Sequence, residues 1–376
     1  MNKVFKVVYS KSKGCYVVVP ETAKNNNGKK KVLASVLAGL ALVGGAVAGN
    51  TAHATVSGDG SINTDGSRIN IAANARPNNS VGVNSIVVGY QNTTDNEEGT
   101  TALGANNQAY GNSGLAVGNE NYANGGAATA IGAGNEARAA ATVALGNKNN
   151  ANATSAVAVG NYNNQNYTIG THQTTPKQAG NYSTAVGSYN AALGDNSVSV
   201  GSMNTSHAAD TVTIGQNNEA KTMGGISIGK NNLTDSTNNG TNFGATRDEN
   251  SQIAIGRDNV ATHLDTIAIG RETSATGSGA TVIGARAEAS GNNSIAIGQS
   301  GKGSPKVIAS GVNSIAIGMQ SQASGEAGIA EGAGSRAGGK YGVALGRTTK
   351  ANAEATTALG NAAEANIANG VALGSS

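Results

Sequence analysis

Four histidines are the first candidates for metal or proton chemistry in this chain: His53, His172, His207 and His263. None has a second His or a Cys at metal-ligand spacing, so the pattern points to no metal site. Cys15 is the only cysteine and has no partner for a disulfide. Gly301-Lys302-Gly303-Ser304 superficially matches a phosphate-binding loop, but Ala296 stands where the first glycine of that motif belongs. Gly58-Asp59-Gly60 and Thr64-Asp65-Gly66 are single turns, unlike the repeated nonapeptide that ladders calcium. No Gly-x-Ser-x-Gly elbow is expected, so a hydrolase triad has no starting point. These residues imply a non-enzymatic protein without cofactor, metal or small-molecule substrate.

Composition narrows what could position any site. The chain has 376 residues, 55 of them Gly, with 3% aromatics, 12% charged residues and no Trp. A globular core of this length leans on large side chains. Gly falls short of the collagen share, and Pro and charge are too scarce for a typical disordered chain. A thin β architecture with room only for small interior side chains remains. The net charge of +3 is carried by the N-terminus. Residues 55–376 hold 17 basic and 21 acidic residues, a formal charge of −4, which disfavours nucleic acid as a partner.

Lys29-Lys30-Lys31 precede an apolar run from Val32 to Gly49, and Ala52-His53-Ala54 follow. That order reads as a secretory signal with cleavage between Ala54 and Thr55. Ala46-Val47-Ala48 is a second candidate cleavage site. Four glycines weaken the run as a membrane span. The residues ahead of it include Phe5-Lys6-Val7-Val8-Tyr9, Gly14-Cys15-Tyr16-Val17-Val18-Val19 and Glu21-Thr22-Ala23-Lys24. This stretch resembles the extended signal peptide region of large Gram-negative autotransporters, with Tyr9 and Pro20 where that region usually has Trp and Ser. The resemblance implies export across the inner membrane and then outward.

One repeat dominates the rest. A glycine, preceded by Ile, Val or Leu in all but one case, recurs from Gly89 to Gly374; Gly332 follows Glu331. Of the 18 intervals between these 19 glycines, 14 are 14 residues long; the others are one of 15, two of 27 and one of 20. A 27 is expected to be two turns less one residue, and the 20 one turn plus six. In the unit ending at Gly298, Ile295 and Ile297 alternate with Ser294 and Ala296, and Ala287 and Ala289 with Arg286 and Glu288. Both are period-2 signals, so each unit predicts two short strands joined by Gly/Asn turns. Stacked units make a parallel β-solenoid of 14-residue repeats. We expect Ile295 and Ile297 inside, Ser294 and Ala296 outside, and about 20 turns spanning roughly 95–100 Å. So small a coil buries little apolar surface against the ordering of its backbone. It should therefore pack on copies of itself, with the Ala-rich second strand as contact face.

The Asn-Ser-Ile-Ala-Ile-Gly blocks at 293–298 and 313–318 are similar to the head repeats of trimeric autotransporter adhesins of the YadA type. Asn84 to Gly89 is a near relative, and Val143 to Gly146 and Val343 to Gly346 are degenerate forms. The resemblance implies an all-β, left-handed parallel β-roll assembled as a homotrimer. It implies residues 1–54 as extended signal, 55–80 as a cap or start of the roll, and 81–376 as head. It also implies a surface adhesin on a Gram-negative outer membrane that attaches to a host matrix protein, a cell-surface receptor or a surface. Carried over by position, the binding residues are Asn293, Ser294, Ala296, Asn313, Ser314 and Ala316. The family's coiled-coil stalk and membrane anchor have no counterpart in these residues.

Two further readings stay open. A self-associating surface protein for autoaggregation or biofilm would carry the same repeat. A β-helical polysaccharide-active enzyme would need longer coils and recurring carboxylates. The interruptions at 165–180 and 231–250 are candidate binding loops. The first has Tyr162, Tyr167, His172, Pro176 and Tyr182 in or beside it; the second carries Phe243, Arg247, Asp248 and Glu249.

Overall fold

A computed structural model describes residues 5–10, 15–20, 62–63, 69–72, 84–95, 97–167, 174–235 and 251–374. The cleavage pair Ala54 and Thr55, His172, and the 236–250 stretch with Phe243, Arg247, Asp248 and Glu249 lie outside these residues. Phe5–Ser10 and Cys15–Pro20 form an antiparallel hairpin. From Ile69 onward the described chain is a parallel β-solenoid without a helix.

Coils have a long strand ending within one residue of the repeat glycine and a short strand of two or three residues, as in Ile295–Gln299 and Ala287–Ala289. Long strands stack in register, so Gly132 pairs with Gly118 on one side and Gly146 on the other. Short strands form two further parallel ladders, parted at the first excursion. The glycine is required by geometry. Gly146 has φ of +117°, and a Cβ there would overlap the carbonyl oxygen of Gly160 on the next coil. That is why the sequence repeat is anchored on this residue.

The faces are the reverse of the sequence expectation. Ser294 and Ala296 are fully buried, as are Ser314 and Ala316, while Ile295, Ile297, Ile315 and Ile317 are half-exposed. The Ala-rich second strand also points inward, with Ala287 and Ala289 in the core, so it is not the contact face. Packed sheets separated by branched side chains need roughly 10 Å between them. A 14-residue coil joins its two walls by tight turns and fills its lumen mostly with Ala, Ser, Thr and Asn, Val87, Val282 and Val307 being the largest apolar side chains fully buried there. The period-2 pattern defines two faces but does not say which is inner. Glu331 occupies the row of Ile297 and is exposed, a charge the lumen could not accept.

A column of buried asparagines runs through the lumen three residues after each repeat glycine, from Asn92 to Asn259. Asn121 shows the pattern. Its Nδ2 donates to Asn107 Oδ1 at 3.0 Å, to the Val117 carbonyl at 2.9 Å and to the Gly132 carbonyl at 2.7 Å. Its backbone N–H donates to the same Asn107 Oδ1 at 3.1 Å. The column ends where Thr273 donates from N and Oγ1 to Asn259 Oδ1, at 3.0 and 2.5 Å. These amides satisfy buried carbonyls that apolar residues would orphan.

The 27-residue intervals are single coils with an excursion, not two turns. Gly160 pairs directly with Gly187, and Gly229 with Gly256. The lumen carries on unbroken, since Asn190 Nδ2 donates to Asn163 Oδ1 at 3.2 Å and Asn259 Nδ2 to Asn232 Oδ1 at 2.9 Å. At the first excursion Asn164 stands in for a missing short-strand rung. Its Nδ2 donates to the Asn150 carbonyl at 2.9 Å and its Oδ1 accepts from Ala192 N at 2.8 Å. The 20-residue interval is one coil plus six residues, as expected, because Ile297 pairs with Ile317. Gly89 to Gly374 therefore spans 18 coil steps, about 86 Å at 4.8 Å each. All three insertions leave from the short-strand side, and the long-strand ladder runs without a gap.

Candidate functional site

Two surfaces follow from this architecture. The first is the outer face of the long strands. Its two rows begin at Ile86 and Val88 and run through Val143 and Leu145 to Val371 and Leu373, with Thr at some rungs and Glu331 as the one charge. Ile131, Ile214 and Ile283 remain 36–40% exposed. The result is a mainly apolar stripe along the ladder, of the kind that marks an interaction surface.

The second surface is made by the turns and the outer side of the short strands. Here polar side chains stack in columns, one per coil. Asn293 and Asn313 are exposed, both with positive φ, and Asn293 Nδ2 donates to Asn313 Oδ1 at 3.3 Å. Of the six residues carried over as binding candidates, these two reach solvent and lie together. Ser294 instead donates from Oγ to the Gly291 carbonyl at 2.6 Å inside the turn. Ala296, Ser314 and Ala316 line the lumen with it.

Aromatics decorate the N-terminal half of this surface. Tyr162 and Tyr189 stack with centroids 5.2 Å apart, and Lys148 Nζ lies 5.5 Å from the Tyr162 ring. Tyr110 meets Tyr122 edge to face at 5.7 Å, with Arg138 over Tyr122 at 4.8 Å. Burial, then Tyr122 and Asp95, push the Tyr110 phenol above its ordinary value. Tyr182, at 64% exposure, stands on a turn. The first excursion is an antiparallel hairpin, Gln165–Tyr167 with Thr174–Pro176, that returns where Lys177 N donates to the Asn164 carbonyl at 2.9 Å.

The residues weighed for chemistry fall apart in space. His207 Nε2 lies 2.9 Å from Glu219 Oε1 on the surface. His263 sits in a turn with φ of +82°, its Nδ1 3.3 Å from Thr262 Oγ1. Contrary to the expectation of no nucleophile elbow, Gly225-Ile226-Ser227-Ile228-Gly229 spells that motif of hydrolases. Ser227 is fully buried mid-strand and donates to the Glu219 carbonyl at 3.1 Å. It is not on the exposed strand-to-helix turn that gives the elbow its chemistry. A shallow, open depression lined by Met203, Asn217, Glu219, Asn231 and Leu233 lies on the outer side of the short strands.

The asparagine column is what sequence reasoning missed. Its signal was present as Asn at the third position after 11 repeat glycines. Those residues read as turn formers because Asn is common in turns.

Comparison with known families adds two matches. The extended signal peptide of the type V secretion system matches residues 1–49. The YadA head domain repeat matches 80–107, 96–121, 137–163, 179–202, 253–273, 275–300, 309–335 and 337–363, just over half of the chain. No curated protein matches the chain.

Proposed function

Because the chain belongs to the trimeric autotransporter adhesins that carry YadA head repeats and is exported through type V secretion, we propose that it is a non-enzymatic adhesive head. Three copies pack their apolar long-strand stripes together and turn their polar columns outward. The observation that carries this reading is the stripe itself, which runs over 18 coil steps, apolar but for Thr at five rungs and Glu331, and is interrupted by no insertion. Each half-exposed Val, Ile or Leu has roughly 1 kcal/mol still to gain from full burial, and the stripe offers a run of them. A long-strand ladder unbroken by any insertion fits a face that a neighbour covers.

Residues 81–376 act as the head, 55–80 as its cap or the start of the roll, and cleavage between Ala54 and Thr55 removes the signal from the exported form, which acts at the cell surface. The outward columns, with Asn293 and Asn313 among them, and the two long interruptions touch the host matrix protein or cell-surface receptor. Many weak contacts repeated along three rods give avidity without a pocket. Purified protein should sediment as a trimer and bind immobilised matrix proteins or host cells. A folded monomer at micromolar concentration would remove the assembly. Clumping of bacteria without attachment to any host surface would replace host adhesion by self-association.

A further inference from the structure

The last residue of the long strand places three cations in line on successive rungs. Lys230 pairs with Arg257 and Arg257 with Arg271 along the parallel ladder, and all three are exposed. Ladder neighbours sit about 4.8 Å apart, a spacing at which like charges repel. Nearby carboxylates answer only part of this charge. Arg257 Nε lies 3.3 Å from Asp258 and its Nη2 3.8 Å from Glu272. Glu272 is shared with Arg286 at 3.9 Å, and Asp258 also accepts from Asn231 Nδ2 at 2.8 Å. Among the described residues, Lys230 and Arg271 have no ion pair. Residues 55–376 carry a formal charge of −4, yet here they keep a row of cations parallel to the rod.

We propose that the Lys230–Arg257–Arg271 row is a docking line for a sulfated polysaccharide lying along the rod axis. A linear polymer with anionic groups at short, regular intervals matches a linear row of cations, and its charge relieves their mutual repulsion. Arg adds bidentate hydrogen bonding to oxyanions. Single-stranded nucleic acid fits less well, since no aromatic among the described residues from Gly229 to Gly298 offers a base a stacking platform. This inference deepens the adhesive reading and rests on it.

The test uses a heparin hexasaccharide as probe, titrated into the purified protein at low and at physiological salt. The wild type binds, and binding weakens as salt rises because counterions are released. Replacing Lys230, Arg257 and Arg271 together by Gln costs roughly fivefold per cation, about a hundredfold in all. Replacing Lys302, Lys306 and Lys340 by Gln removes the same net charge elsewhere and leaves affinity unchanged. No binding at low salt, or equal losses in both variants, overturns the proposal. So does a row variant whose sedimenting mass falls, which would assign the row to contacts between copies. A wild type that adheres to cells but takes no heparin sinks this inference alone. Absence of adherence to any surface sinks the adhesive reading, with the heparin titration still read on its own.

Discussion

Ala296→Leu and Ile297→Asp, adjacent in one strand, should fail in different ways. Ala296 is fully buried, paired along the ladder with Val282 and Ala316, in the same core cluster as Ala287 and Ala289. A leucine there overfills a lumen whose walls are fixed by backbone ladders, at about 3 kcal/mol, the upper end for overpacking. Ile297 is half-exposed on the outer face. Within one coil its replacement forfeits about 1 kcal/mol of partial apolar burial. The seam between copies bears the rest of the cost, because a carboxylate there loses water. Hydrogen exchange of the amides in Ile295–Gln299 and Ile315–Ile317 separates the two. Ala296→Leu should speed exchange roughly a hundredfold, and Ile297→Asp about fivefold. Sedimentation in a dilution series should show the opposite order, with Ile297→Asp dissociating at the higher concentration. Faster exchange in Ile297→Asp than in Ala296→Leu would refute the assignment of inner and outer faces.

Further outcomes follow from the same geometry. Asn149→Ala removes the side-chain donor to the Leu145 and Gly160 carbonyls and the side-chain acceptor of the Asn163 backbone N–H, while the Asn163 amide keeps the Val159 and Gly187 carbonyls; it should cost about 3–5 kcal/mol, read as an earlier denaturant midpoint. Gly146→Ala, at φ of +117° with the Gly160 carbonyl in the way, should abolish the rung and yield protein that fails a melting experiment at this coil. Hydrogen bonding from Lys350 at 3.2 Å, then from Asn366, holds the Glu364 carboxyl below its usual range. A lowered folded value means that its contribution is present above the unfolded value and fades as pH falls through the folded one. Carboxyl NMR should show Glu364 titrating low, and Lys350→Ala should move it up. Glu288→Lys, which breaks only the exposed pair to Lys306 at 3.1 Å, should leave the melting midpoint almost unchanged.

The amino-acid sequence by itself determined the architecture, because the repeat glycine is a backbone requirement that shows as a letter. Gly at φ near +120° cannot be exchanged, so its spacing exposes the coil, the strand pair and the parallel ladder. The six-residue insertion was legible for the same reason. Which face lies inside was decided only by the tertiary structure. Ile295 and Ile297 look like core residues by hydrophobicity, and in most folds they would be. Here the distance between two walls joined by tight turns sets what fits, and Ala296 wins that place although it offers less apolar surface. Glu331 held the clue in the sequence, a charge in a row otherwise Val, Ile or Leu. The 27-residue intervals were misjudged because arithmetic on spacing cannot tell two coils from one coil with an excursion. Direct pairing of Gly160 with Gly187, and of Asn163 with Asn190, settles that in space. The cation row of Lys230, Arg257 and Arg271 was invisible in the chain for a related reason. Its members are 27 and 14 residues apart along the sequence and become neighbours only when the coils stack in register.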